Sequence, residues 1–145
     1  MPALTDFAEN KCLDAILRGQ ALGAPATLYF ALSTAVRSDS GAPTEPSGNG
    51  YARVALTANL TNFNGSQGAA GAASSGTDGT VENAVAITFP TSTGAWGTIQ
   101  SVWVMDASSG GNAWISINVG ASLNVSGSGF TLSFANGQLS FQMDD

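Results

Sequence analysis

Apolar and polar positions alternate along much of this chain, most clearly between Ile87 and Val119. Ile99–Asp106 and Asn112–Val119 are rich in β-branched and aromatic residues, and the turn residues Ala107-Ser108-Ser109-Gly110-Gly111 separate them. That pattern predicts a hairpin with a five-residue, glycine-containing loop. In the second arm, Ala113, Ile115, Ile117 and Val119 alternate with Trp114, Ser116 and Asn118, as in a half-buried strand. The first arm is apolar on both sides. Ile99, Trp103 and Met105 are assigned to one face and Val102 and Val104 to the other, which predicts a central strand covered by other elements on each side.

The remaining pattern fills in around this hairpin. Residues 5–18 predict the one helix, with Thr5 or Asp6 as cap, acids in the first turn, Arg18 near the end and Gly19 as the stop. Leu4, Ala8, Cys12 and Ile16 form a row that Leu13 and Leu17 broaden, so the helix is expected to dock this stripe on a sheet edge or on a partner subunit. Strands are predicted over Thr27–Thr34 (Leu28, Phe30 and Leu32 on one side), Tyr51–Leu60, Ala84–Phe89, a short Ser122–Val125, Phe130–Phe134 and Leu139–Met143. A lone arginine in the second of these, Arg53, is expected to pack or pair. Two prolines and three glycines make residues 37–50 an exposed loop. Residues 64–80 are Gly-, Ala- and Ser-rich and predict a long flexible loop or interface arm. Seven or eight strands with turn signals between them point to a single mainly β domain over residues 1–145. The expected fold is one antiparallel β-sandwich, jelly-roll-like or Ig-like, with a short N-terminal helix.

Composition narrows the function more than it identifies it. Ten acids against Lys11, Arg18, Arg37 and Arg53 give a net charge of −6. Four scattered bases cannot neutralise a run of phosphates, so neither nucleic acid nor an anionic membrane is an expected partner. The absence of histidine excludes Ser-His-Asp triads, Cys-His dyads and His-based zinc sites, and Cys12, the single cysteine, allows no intrachain disulfide. No paired carboxylates, calcium loop or phosphate loop has the required spacing. Asp106 at a strand end is the only acid placed where a site would form, and it has no partner in the sequence. No catalytic, cofactor-binding or metal-ligating residue is expected. Cys12 is expected to be buried without a chemical task. Trp96 and Trp114 are expected in the core or at a subunit interface, a sugar-stacking platform being the lesser alternative.

The ordered segments Leu4-Thr5-Asp6-Phe7-Ala8-Glu9-Asn10-Lys11, Pro25-Ala26-Thr27-Leu28-Tyr29-Phe30-Ala31-Leu32, Gly50-Tyr51-Ala52-Arg53, Ile87-Thr88-Phe89-Pro90, Trp96-Gly97-Thr98-Ile99 and Gly110-Gly111-Asn112 span nearly the whole chain. In that order they resemble a family of small tailed-bacteriophage virion proteins commonly labelled tail-fibre proteins. The resemblance implies a non-enzymatic structural protein of the virion, and the lack of a signal-like start or of an apolar run near 18 residues makes assembly in the host cytoplasm the expectation. The chain shows no repeat and no heptads for a shaft, which favours a capsid decoration or cement protein bound to the major capsid protein. A short tail-fibre or tail-tip module that binds a carbohydrate receptor is the alternative. A homotrimer is expected, with Leu13, Leu17, Trp96, Trp114, Gly68 and Gly76 as candidate interface positions.

Overall fold

A computed structural model describes residues 3–65 and 79–142, so Gly68, Gly76, Met143 and most of the predicted 64–80 loop lie outside the described residues. In chain order the elements are β1 (Ala3–Leu4), α1 (Asp6–Arg18), β2 (Thr27–Ser33), β3 (Val54–Thr57), β4 (Phe63–Asn64), β5 (Thr80–Asn83), β6 (Ile87–Thr88), β7 (Gly97–Met105), β8 (Ala113–Val125), β9 (Ser133–Phe134) and β10 (Ser140–Gln142). Five strands form one sheet in the order β1-β8-β7-β2-β3, and two smaller sheets follow the orders β10-β5-β4 and β6-β9. Every pairing is antiparallel. The fold is mainly β with one helix, as the sequence predicts.

The large sheet and the two small ones form a sandwich-like pair of layers. Phe30, Leu32, Val102, Val104 and Val125 from the large sheet share one buried cluster with Ile87, Phe134 and Phe141 from the small ones. The Phe30 ring sits 6.4 Å from both Phe63 and Phe141, so three aromatic rings bridge the layers at one end. Phe89 and Phe134 meet edge to face at the same separation within the second layer. Such pairs add about 0.5–1.5 kcal/mol each beyond the area they bury.

β7 lies third of five in the large sheet, and residues 101–105 are all buried. Its outer face, with Trp103 and Met105, packs with Ala31 and Ala113. Loop 34–50 is tied onto this side by Ser101 Oγ donating to the Ala35 carbonyl and by Ser33 Oγ accepting from the Thr44 amide. Trp103 Nε1 donates to Ser101 Oγ, which satisfies the indole in the interior.

Two register shifts between β7 and β8 explain where strict alternation fails. The partners run Val104↔Ile115 and then Met105↔Ala113, so Trp114 is an extra residue on β8. This bulge puts Ala113 beside Met105 on the outer face instead of continuing the Ile115 and Ile117 row. The second shift sets the single residue Gln100 against residues 119–122. As a result Ile99 joins the inner cluster with Val102 and Val104, not the face of Trp103 that simple alternation assigns to it. It also lets β8 run on to Val125, so the predicted Ser122–Val125 strand is the end of β8.

Several predicted strands are shorter than the pattern suggests. Tyr51–Leu60 contracts to Val54–Thr57. Tyr51 and Arg53 precede the strand, and their side chains bond to other segments. Ala84–Phe89 contracts to β6 (Ile87–Thr88), separated from β5 (Thr80–Asn83), which precedes the predicted strand. The break follows Asn83, a fully buried residue whose Nδ2 donates to the carbonyls of Val85 and Ala135 while its Oδ1 accepts from the Leu139 amide. Such side-chain bonding offers the backbone an alternative to the ladder. Phe130–Phe134 forms a strand only at Ser133–Phe134, and Phe130 is exposed.

Replacing Trp103 with Ala is expected to cost about 3–5 kcal/mol, the range for a buried aromatic. It would also leave the Ser101 hydroxyl without the indole donor. Urea denaturation of both proteins checks this, and a loss near 1 kcal/mol would contradict the two-sided burial of β7.

Candidate interaction site

The sequence-predicted positions separate into inner and outer ones. Trp96 and Trp114 are only 4% and 9% exposed. Trp96 Nε1 donates to the Asn49 carbonyl and its ring meets Tyr51 edge on at 5.5 Å. Trp114 packs edge on against Phe7 of α1 at 5.4 Å. Both indoles are therefore packed within the chain, and neither presents the open ring face that sugar stacking or a partner contact needs.

Asp106 proves to be a turn residue. Its carboxylate accepts from the Asn112 amide at 2.7 Å and from Asn112 Nδ2 at 2.8 Å, closing the β7–β8 loop. Gly111 takes φ +76°, and a side chain there would run into the Asp106 carboxylate and Ala107. Burial pushes the Asp106 carboxyl up, but the Asn112 hydrogen bonds outweigh it and hold the group below the usual aspartate range. The sequence conceals this pairing because Asn112 reads as an ordinary turn residue.

The densest electrostatic cluster ties loop 34–50 to that same hairpin loop. Arg53 forms a two-pronged pair with Glu45, Nη2 to Oε1 at 2.6 Å and Nε to Oε2 at 3.0 Å. Its Nη1 donates to the carbonyls of Ala107 and Gly110. The Arg53 side chain is 5% exposed. Tyr51 Oη donates to Glu45 Oε2 and accepts from the Leu32 amide. Burial, then the bond to the Glu45 carboxylate, pushes the Tyr51 hydroxyl well above the ordinary tyrosine range. Four of the five guanidinium N–H groups are used by the protein itself, so this is a structural clasp rather than a substrate site.

Smaller openings beside Asp39 and beside Glu45 are partly polar, and two larger features are apolar. A cavity of about 450 Å³ lies between the layers, lined by Leu4, Leu28, Phe63, Val81, Phe141 and Gln142 among others. Its size falls in the range of ligand and peptide pockets. No single segment signals it, because its lining comes from distant parts of the chain.

The helix supplies the second open feature. Thr5 caps α1, its backbone amide donates to the Trp114 carbonyl and its hydroxyl to the Ala113 carbonyl, which pins the helix start to β8. Ala8 is buried and Cys12 and Ala15 half-buried, so a row of small residues sets the close approach to the body. Leu13, Ile16 and Leu17 are 55%, 78% and 76% exposed. The expected docking of the whole stripe on a sheet edge is thus corrected, as is the full burial of Cys12. The large side chains lie about 80° to 180° around the helix from Ala8, and only the small ones fit against the body.

Among the described residues no group of histidine, cysteine and acidic side chains could hold a metal, and no helix is long and apolar enough to cross a membrane.

Two measurements test the clasp. Glu45→Ala is expected to destabilise the chain by about 3 kcal/mol, because it strands the buried Arg53 guanidinium. Thermal unfolding would show this as a lowered Tm with an unchanged spectrum before melting. Tyr51 resists ionisation in the folded chain but ionises near pH 10 once unfolded. Its contribution to stability is therefore full below about pH 10 and is lost as pH rises beyond it. Tyr51→Phe removes the titrating group, so its Tm should fall less between pH 9 and about pH 11 than that of the parent.

No curated protein matches the chain. Residues 3–142 match the profile of the family described as Podophage GP4 fiber I protein gp80. That match covers nearly the whole sequence, and the chain belongs to this family of phage fibre proteins, structural components of the virion.

Proposed function

We propose that this chain is a non-enzymatic subunit of a short fibre on a tailed phage, attached to tail protein, and that its copies work as a homotrimer. The observation that carries the reading is the family match over residues 3–142. It favours the fibre alternative over the capsid-decoration role expected from the sequence. The decoration reading rests on the lack of a shaft within one chain. A fibre assembled from several compact copies needs no such shaft, so that objection falls. The packed indoles of Trp96 and Trp114 give no support to sugar stacking as the task of this domain. An acidic chain with three of its four bases paired, to Asp14, Asp39 and Glu45, also suits contact with protein better than with nucleic acid.

Locating the chain on the particle tests the proposal. Particles carrying a peptide tag on this protein, labelled with gold-conjugated antibody, should show label at the tail in a small number of copies. Label spread over the capsid shell would restore the decoration reading and overturn this one.

A further inference from the structure

The sequence holds three Asn-Gly pairs, Asn49-Gly50, Asn64-Gly65 and Asn136-Gly137. Such a pair carries its own chemistry. The glycine amide nitrogen can reach the asparagine side-chain carbon, because glycine has no side chain to obstruct the approach. The structure treats the three pairs differently, and the difference selects one of them.

Two are held. Asn49 Nδ2 donates to the Ala95 carbonyl at 2.8 Å, and its Oδ1 lies so close to Gly94 that a Cβ there would meet it at 2.6 Å. The Asn49 carbonyl accepts from Trp96 Nε1 and from the Thr93 amide, which fixes the backbone as well. At Asn136-Gly137 it is the nucleophile that is tied down. The Gly137 amide donates to the carbonyl of the fully buried Asn83 at 2.7 Å, and the Gln138 amide closes the turn onto Ala135.

The third pair is open. β4 is an outer strand of its sheet, with β5 as its one strand neighbour. The Ala84 amide donates to the Asn62 carbonyl, so Asn62 and, two residues on, Asn64 bond towards β5. Residues 63 and 65 turn their amides the other way, and the Phe63 amide indeed leaves the ladder for the Asn59 carbonyl. Among the described residues nothing accepts from the Gly65 N–H, and no side-chain bond fixes the Asn64 amide. Both residues keep part of their surface in solvent, so base and water reach the pair.

We infer that Asn64 is a site of spontaneous deamidation, a chemical mark at the edge of the second layer. The Gly65 nitrogen gives its proton to solvent base and bonds to Asn64 Cγ. The Cγ–Nδ2 bond breaks and ammonia leaves. Water then opens the resulting succinimide at either carbonyl, giving aspartate or isoaspartate at this position. The fold also supplies a reader for the mark. Asn64 pairs directly with Glu82, on the face opposite the cavity residues Phe63 and Val81. A new carboxylate there stands across from another acid, and like charges so placed weaken strand pairing. Arg18, Arg37 and Arg53 are paired elsewhere and Lys11 lies over the Phe7 ring, so among the described residues no base is placed to offset it. Deamidation therefore loosens β4, and with it Phe63, which stacks on Phe30 across the layers. This goes beyond the fibre reading and does not depend on it.

Peptide mapping by tandem mass spectrometry tests the site. The folded full chain, aged at mildly alkaline pH, should convert at Asn64 several-fold faster than at Asn49 or Asn136. In urea the three rates should converge, because the protection of the other two is structural. Gly65→Ala should slow conversion at Asn64 alone. Equal rates in the folded chain, or faster conversion at Asn49 or Asn136, would overturn the assignment, as would an Asn64 preference that survives in urea. The reader has a separate measurement. Asn64→Asp should lower the Tm by a few degrees at neutral pH, and the loss should vanish in a Glu82→Gln background. An unchanged Tm, or a loss that persists without Glu82, would remove the loosening of β4.

Discussion

The structure turns on the burial of both faces of β7. Residues 101–105 bury every side chain they carry, and a strand in that condition requires cover above and below. On one side the cover is the second layer, reached through Phe63, Phe141, Ile87 and Phe134. On the other it is the irregular stretch 34–50, bonded to Ser33 and Ser101, which has no strand geometry. Polar backbone over an apolar face is tolerable only when it is bonded. Ser33, Ser101 and Trp103 provide that bonding, which explains why two serines lie fully buried among large apolar residues.

The Arg53–Glu45 pair follows from the same constraint. A loop that covers a sheet face has little apolar surface of its own to hold it in place. A buried two-pronged ion pair, with Tyr51 bonding both Glu45 and the β2 backbone, locks the loop to the sheet and to the β7–β8 turn together. Ion pairs of this kind rarely add much net stability over an apolar substitute, but they punish misplacement heavily. Here the pair selects one arrangement of a segment that glycine and proline would otherwise leave loosely defined.

Other parts of the chain are less completely covered. At α1 small residues approach the body and large apolar ones face outward, and a cavity stands open between the layers. Exposed apolar surface of this kind beside a well-covered core is a feature of subunits in assemblies. It agrees with membership of a phage fibre family.

What the sequence determined by itself was set by short-range periodicity and by end signals. The hairpin of β7 and β8, the central place of β7, the inward row of Leu28, Phe30 and Leu32, and the bounds of α1 from Thr5 to Gly19 all follow from residues within one strand or one helix. The excluded chemistries were equally legible, since they require residue types that the chain lacks. Only the tertiary structure decided the rest. Ile99 and Ala113 changed faces because bulges shift register by pairing, which no single strand encodes. β5 stops at Asn83 because two distant backbone groups, at Ala135 and Leu139, converge on its amide together with the nearby Val85 carbonyl. The helix turned its small residues inward because fit against β8, not hydrophobicity, chose the face. The cavity has no counterpart in any local pattern, because its walls are brought together only when the two layers close.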